Sequence, residues 1–129
     1  MNQVPENASL VVCTIAMPKD TNVYGDIFGG WLVSQMDLGG AVLAHQLASR
    51  RVTTVAIDQL TFIKPVYVGD TVRCYAHVVR TGKSSIAIQM MVVASRFDAV
   101  DDILVAQGLF TFVALDAHGQ PVAVDWPKC

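Results

Sequence analysis

Apolar and polar positions alternate along most of this chain with a period of two, and give way to a helical period in one long stretch. Leu10 to Ala16 is rich in Val, Ile and Thr and predicts a first strand, ended by Pro18. A polar loop follows from Lys19 to Asp26. From about Gly30 to Ser49 the pattern is helical. Leu32, Met36, Leu43 and Leu47 centre an apolar arc that Val33, Gly40, Ala41, Ala44 and Ala48 continue with small side chains. Gly39 and Gly40 each lower helix propensity by about 1 kcal/mol relative to Ala, so something packs very close there, either a sheet or a ligand. Val52 to Ile63 is long and β-rich, Lys64-Pro65 breaks it, and Val68-Gly69-Asp70 reads as a turn. In Thr71 to Arg80, Val72, Cys74, Ala76 and Val78 alternate with Arg73, Tyr75 and His77. Thr81-Gly82-Lys83-Ser84 has the composition of a hairpin turn. From Ser85 to Ser95, Ile86, Ile88, Met90, Val92 and Ala94 share one face. A loop with Asp98, Asp101 and Asp102 leads to a last strand, Ile103 to Leu115, and from Asp116 the chain is turn and tail.

The order is a strand, a long helix, then four strands joined by short turns, and short turns predict antiparallel neighbours. The fold class is therefore α+β: one long central helix wrapped by a curved antiparallel sheet of about five strands, the hot-dog architecture. Residues 1–129 form a single domain, with 1–8 and 117–129 expected as loose termini. A domain of this length buries a proper core without staples.

Composition adds an expectation about assembly. Hydrophobic residues make up 53% of the chain and charged residues only 16%, so a domain this small has trouble covering its surface. Part of its apolar face is expected to be buried in a homo-oligomer. The net charge of −2 offers nucleic acid no global attraction. No stretch approaches the roughly 18 apolar residues of a membrane span. Met1 to Asn7 has no basic region followed by an apolar one, so no secretory signal is read there. Cys13, Cys74 and Cys129 have no metal-ligand spacing and no even framework, which fits thiols in a reducing cytoplasm; Cys129, at the end, is expected to be mobile.

The candidate chemistry lies in Thr21-Asn22-Val23-Tyr24-Gly25-Asp26-Ile27-Phe28-Gly29-Gly30-Trp31-Leu32-Val33-Ser34-Gln35-Met36-Asp37: a polar loop, a glycine pair, and a helix carrying an acid on its mostly apolar side. A helix start supplies unpaired N–H groups and partial positive charge. A carboxylate in apolar surroundings needs a partner or a task. Together they suit a site that binds a carbonyl oxygen and activates water against its carbon. Asp37 reads either as an acid at a polar seam, neutralised by a neighbouring strand, or as a general base or nucleophile. Asp26 either stabilises the helix start or orients the water or the partner carboxylate. Gly29 and Gly30 give loop flexibility or, the preferred reading, an oxyanion hole. His45 sits well round the helix from Asp37, and His77 and His118 read as surface or interface residues, so no Ser–His–Asp set forms. Gly82-Lys83-Ser84-Ser85 is an ordinary hairpin tip by pattern. Asp98, Asp101 and Asp102 read as a solvated loop and not a metal site.

These residues resemble a known family. Ala16-Met17-Pro18, Thr21-Asn22, Gly25 to Trp31 and Ser34-Gln35-Met36-Asp37 are similar to the bacterial hot-dog acyl-coenzyme A thioesterases of the YciA type. Phe62-Ile63-Lys64-Pro65, Val68-Gly69-Asp70, Gly82-Lys83-Ser84-Ser85 and Phe110 to Ala114 match as well, in order and without large gaps. The resemblance implies hydrolysis of acyl-CoA to a free acid and CoA, with no metal or redox cofactor. It implies a homodimer as the minimal active unit, often assembled into trimers of dimers. It puts the family's helix carboxylate on Asp37 and its second polar residue on Asp26, acting across the dimer interface. It carries CoA contacts to Asn22, Gly82, Lys83, Ser84 and Ser85, with Arg51, and less directly Arg50, as further cations. A thiolate leaving group, from a thiol of pKa about 8.5, explains why no strong acid is needed. The departures are Tyr24 at the mouth of the site and a short tail after Trp126. A 3-hydroxyacyl dehydratase of the same fold would call for a His near Gly29–Asp37, which is absent. A non-catalytic acyl-CoA sensor would call for an output module, and no helix-turn-helix segment is spare.

Overall fold

The structure, a computed structural model, describes residues 4–96 and 101–127. Its elements are β1 (Ser9–Ile15), a short 3₁₀ turn (Pro18–Asp20), α1 (Gly29–Ala48), β2 (Val52–Phe62), β3 (Thr71–Thr81), β4 (Ser85–Ser95) and β5 (Asp102–Ala114). The five strands form one antiparallel sheet around the helix, as the pattern predicts. Period-two alternation is plain in β3, where Val72, Cys74 and Ala76 are buried and Arg73 and Tyr75 between them are half-buried. Burial in an apolar setting pushes the Cys74 thiol up to about 12, so it packs as a small hydrophobe.

Strand order is β1-β3-β4-β5-β2, and here one expectation fails. Short connections do join the neighbours β3–β4 and β4–β5, but β2 pairs with β5 and not with β3. The segment 63–70 does not turn back on β2. It crosses the end of the sheet, held by Ile63 N–H to Val105 O, Ile27 N–H to Val66 O and Ala16 N–H to Asp70 O. Pro65 interrupts any ladder in this segment. As a result β2 is an edge strand.

The core lies between one side of α1 and the sheet. Leu32, Met36 and Ala44 pack with Ile86, Ile88, Met90, Phe110 and Phe112 in one dry cluster. The sheet is what presses on the glycine pair within α1. A Cβ on Gly40 would stand 2.8 Å from the ring of Phe112 and 3.3 Å from the sulfur of Met90. One on Gly39 would stand 2.6 Å from Val11. The helix ends in a left-handed Ser49, whose N–H bonds His45 O at 2.8 Å.

Two smaller expectations change. Asp102 is no loop residue: it opens β5 and pairs with Arg73 at 2.8 Å, while Ser95 donates its hydroxyl to it. Asp101 is exposed, and Asp98 and Cys129 lie outside the described residues. The segment from Asp116, read as turn and tail, is tied back along the sheet. Val122 N–H bonds Ala114 O, Val124 N–H bonds Lys83 O, and Trp126 Nε1 donates to Gly82 O at 3.0 Å.

Candidate active site

The predicted site residues fall into three groups along the helix. The first gathers at its N-terminus. Asn22, Asp26 and Gly29 line a cleft of about 340 Å³ with Leu32 and the segment Phe62 to Val66. The loop is built on Asn22, whose side-chain oxygen accepts from Tyr24 N–H at 2.8 Å and Asp26 N–H at 3.2 Å. Such a turn presets the backbone without help from the core. Asp26 makes no cap on the helix: the N-cap is Phe28, and no side chain bonds there. The N–H groups of Trp31 and Leu32 both turn back to Phe28 O. Among the described residues, no acceptor takes the N–H of Gly29 or Gly30. These are free donors at a helix start, the requirement for holding an oxyanion. A Cβ on Gly30 would stand 2.5 Å from the ring of Phe28, an exposed side chain that would have to swing aside.

The far wall of this cleft is braced by residues to which the sequence reading gave no part in the site. Asp70 is almost fully buried and accepts from Tyr67 N–H at 2.9 Å. Arg96 lies 3.6 Å from Asp70, stacks 4.9 Å above the Tyr67 ring, and donates to Pro65 O at 2.8 Å. The wall also carries Lys64, a cation beside Asn22 that the matched Phe62-Ile63-Lys64-Pro65 run contained without a role.

The second group is Asp37, two turns further along, half-buried on the side of α1 that faces β2. Thr54 of β2 donates its hydroxyl to Asp37 Oδ1 at 2.6 Å. The reading of Asp37 as an acid at a polar seam is thus right about geometry. One hydroxyl engages one carboxylate oxygen, and among the described residues no group is bonded to the other. Thr54 was missed; its one sequence signal is a polar residue two positions after Val52, on the same face of β2.

The third group lies at the opposite end of α1. Ala114 N–H bonds Ser84 O and Leu115 N–H bonds Arg51 O, so successive residues bring the tip Gly82-Lys83-Ser84-Ser85 and Arg51 to one end of the sheet. Asn22 is not with them. A helix of 20 residues is about 30 Å long, and one protomer does not gather all the candidates. Among the described residues no cluster of His, Cys, Asp and Glu fit for a metal forms. No helix there is long and apolar enough to cross a membrane.

The edge strand and the outer side of α1 share an apolar surface. Val55, Ile57 and Phe62 of β2 are exposed, and Leu38 and Val42 of α1 are 60% and 49% exposed. An unpaired edge with such a surface fits pairing with a second copy.

Comparison with known proteins points the same way. Residues 24–96 match the family model for the thioesterase superfamily. The chain is 45% identical over 132 aligned residues to the acyl-CoA thioester hydrolase YciA of Escherichia coli, covering 95% of each. It is similar to a crystal structure of a hexameric thioesterase from Yersinia pestis, with TM-score 0.88, 48% identity, and 96% and 99% of the two chains covered. It also matches a hexameric broad-specificity acyl-coenzyme A thioesterase, solved as an aspartate-to-alanine mutant, with TM-score 0.89 and 43% identity over 95% of this chain and 88% of that one.

Proposed function

The chain belongs to the thioesterase superfamily and is an acyl-CoA thioester hydrolase; from that premise we propose that Asp37 activates water at a site completed by the helix start of a second subunit. The observation that carries this reading is the Asp37–Thr54 pair. Thr54 fixes the carboxylate by one oxygen, and the other is left to take a proton from water. Water adds to the thioester carbon as its proton passes to Asp37. The carbonyl oxygen becomes an oxyanion held by the N–H groups of Gly29 and Gly30, supplied by the partner. The tetrahedral intermediate collapses with loss of the CoA sulfur, which takes a proton back from Asp37 and leaves as a stable thiol. No metal or redox cofactor has a task in this sequence.

Two features support a composite site. Asp37 and the Asn22–Asp26–Gly29 cleft are separate groups in one protomer. A two-fold axis through the exposed β2 edge would run the two helices in opposite directions, so the helix start of one subunit approaches the middle of its partner's. The same operation moves Gly82 to Ser85 and Arg51 of one subunit toward Asn22 and Asp26 of the other. There Lys83, Ser84, Ser85 and Arg51 would meet the CoA phosphates. Asp26 would orient the water. Hexameric relatives favour three such dimers.

The test is release of free thiol from short, medium and long acyl-CoAs. Release that scales with enzyme and disappears in Asp37→Ala supports the reading. Unchanged turnover in that variant removes Asp37 from the mechanism, and tight binding without release would make the protein a sensor.

A further inference from the structure

We propose that Trp126 is a positioning residue for the coenzyme: with Val124 it holds the tip Gly82-Lys83-Ser84-Ser85 so that two backbone N–H groups face the CoA phosphates. This rests on the reading that places the CoA arm at that tip.

The tip does not hold its own shape. Gly82 N–H bonds Ser85 O at 2.8 Å, which leaves Lys83 and Ser84 as the two central residues of the turn. Two-residue turns that suit the twist of paired strands need a positive φ at one or both central positions, and neither Lys83 nor Ser84 has one. Among the described residues no backbone N–H bonds Gly82 O to close the turn. Trp126 Nε1 takes that place, donating to Gly82 O at 3.0 Å. The next carbonyl, Lys83 O, accepts from Val124 N–H at 2.9 Å.

The segment that supplies these donors is fitted to the sheet. Val122, Val124 and Trp126 are half-buried, while Ala123 and Asp125 between them are exposed, the alternation of an extended chain with one side packed. Trp126 packs against the core and directs the indole N–H, the one polar group of its ring, to Gly82 O. One ring thus anchors the end of the chain and fixes a peptide of the tip.

Those two bonds decide where the tip's own donors point. In a trans peptide the C=O and the following N–H point in opposite directions. With Gly82 O and Lys83 O both turned to the C-terminal segment, the N–H groups of Lys83 and Ser84 are turned away from it. Among the described residues no acceptor takes either of them. Successive N–H groups turned out together make a concavity that attracts anions. Lys83 adds a cation there, and Ser84 and Ser85 add hydroxyls. A phosphate is the part of the substrate that suits such a set.

The experiment measures kcat and KM of the full-length protein for octanoyl-CoA and for octanoyl-pantetheine, which has the same thioester and no phosphate. Trp126→Phe keeps an aromatic ring in place and removes the donor. It is expected to raise KM for octanoyl-CoA about three- to tenfold, the worth of one hydrogen bond. KM for octanoyl-pantetheine and both kcat values should match those of the parent, a split that general damage to the fold does not produce. Lys83→Ala should raise KM for octanoyl-CoA in the same selective way. If Lys83→Ala raises it and Trp126→Phe does not, the role of Trp126 is overturned and CoA stays at the tip. If neither variant changes it, the placing of CoA at the tip is overturned and the proposal with it. Equal rises for both substrates in Trp126→Phe would overturn the positioning role and leave Trp126 a part of the packing alone. A parent that releases no thiol from octanoyl-CoA would instead overturn the activity reading.

Discussion

The two long sides of one helix are built on opposite rules. Toward β4 and β5, α1 presents Leu32, Met36, Gly40 and Ala44, all buried against Phe110, Phe112 and Met90. Toward β2 it presents Asp37, Leu38, Ala41, Val42 and His45, which are half-buried or exposed, with the Thr54–Asp37 hydrogen bond and an open groove beside them. The first side carries the dry core, and the second is the one to which the proposed function assigns substrate and a second copy. Polar groups and vacant volume destabilise a packed core, so their concentration on one side marks that side as the working one.

The sharpest way to break this contrast is to disable the working side alone. Asp37→Asn should reduce kcat by about a thousandfold, in the range for loss of a general base. Its melting temperature should stay near that of the parent, checked by calorimetry. Thr54→Val should act on the same carboxylate more mildly. Losing a hydrogen bond to a charged group is worth about 1.5–3 kcal/mol, or about ten- to a hundredfold in rate, and Thr54→Ser should restore most of it. On the packed side the pattern inverts. Gly40→Val pushes a side chain into Phe112 and Met90 and should cost about 1–3 kcal/mol of stability, read by denaturant unfolding. The smallest effect belongs to the outer face of the sheet. The Ser95 hydroxyl, followed by the Arg73 guanidinium, holds the Asp102 carboxyl below the usual carboxylate range. A lowered folded-state pKa contributes stability above the unfolded value of about 3.9 and loses it as pH falls through the folded one. Asp102→Asn should therefore lower stability at neutral pH by no more than about 1 kcal/mol, and the gap should close in acid.

The sequence showed the packed side far more clearly than the working side. Alternation in β3 and β4 and the arc of α1 report burial directly, because a buried face must be apolar at each repeat. Gly39 and Gly40 even announced close packing, though not that Val11 and Phe112 supplied it. Strand order was less legible: from residue 63 to 70, length suggests a turn, and only tertiary hydrogen bonds send the segment across the sheet to β1. Thr54 as the partner of Asp37 was not legible for a geometric reason. A helix rises about 1.5 Å per residue and a strand about 3.3 Å, so the register between Asp37 and β2 depends on how the chain closes at Ser49. Asp37, Asp26 and the glycine pair stood out as candidates because they sit on one continuous run of chain. Their action across a dimer interface came from the resemblance alone; the structure adds that Asp37 and the Asn22–Asp26–Gly29 cleft are separate groups in one protomer.

The composite site is the central claim, and complementation tests it most directly. Asp37→Asn and the double variant Asn22→Ala/Asp26→Ala are each expected to be nearly inactive as homo-oligomers. Co-expressed, random pairing should leave one intact site in each mixed dimer and recover about a quarter of the parent activity. Recovery near that level is the predicted result. Two folded, co-assembled variants that recover nothing would contradict the account and place the complete site within one protomer.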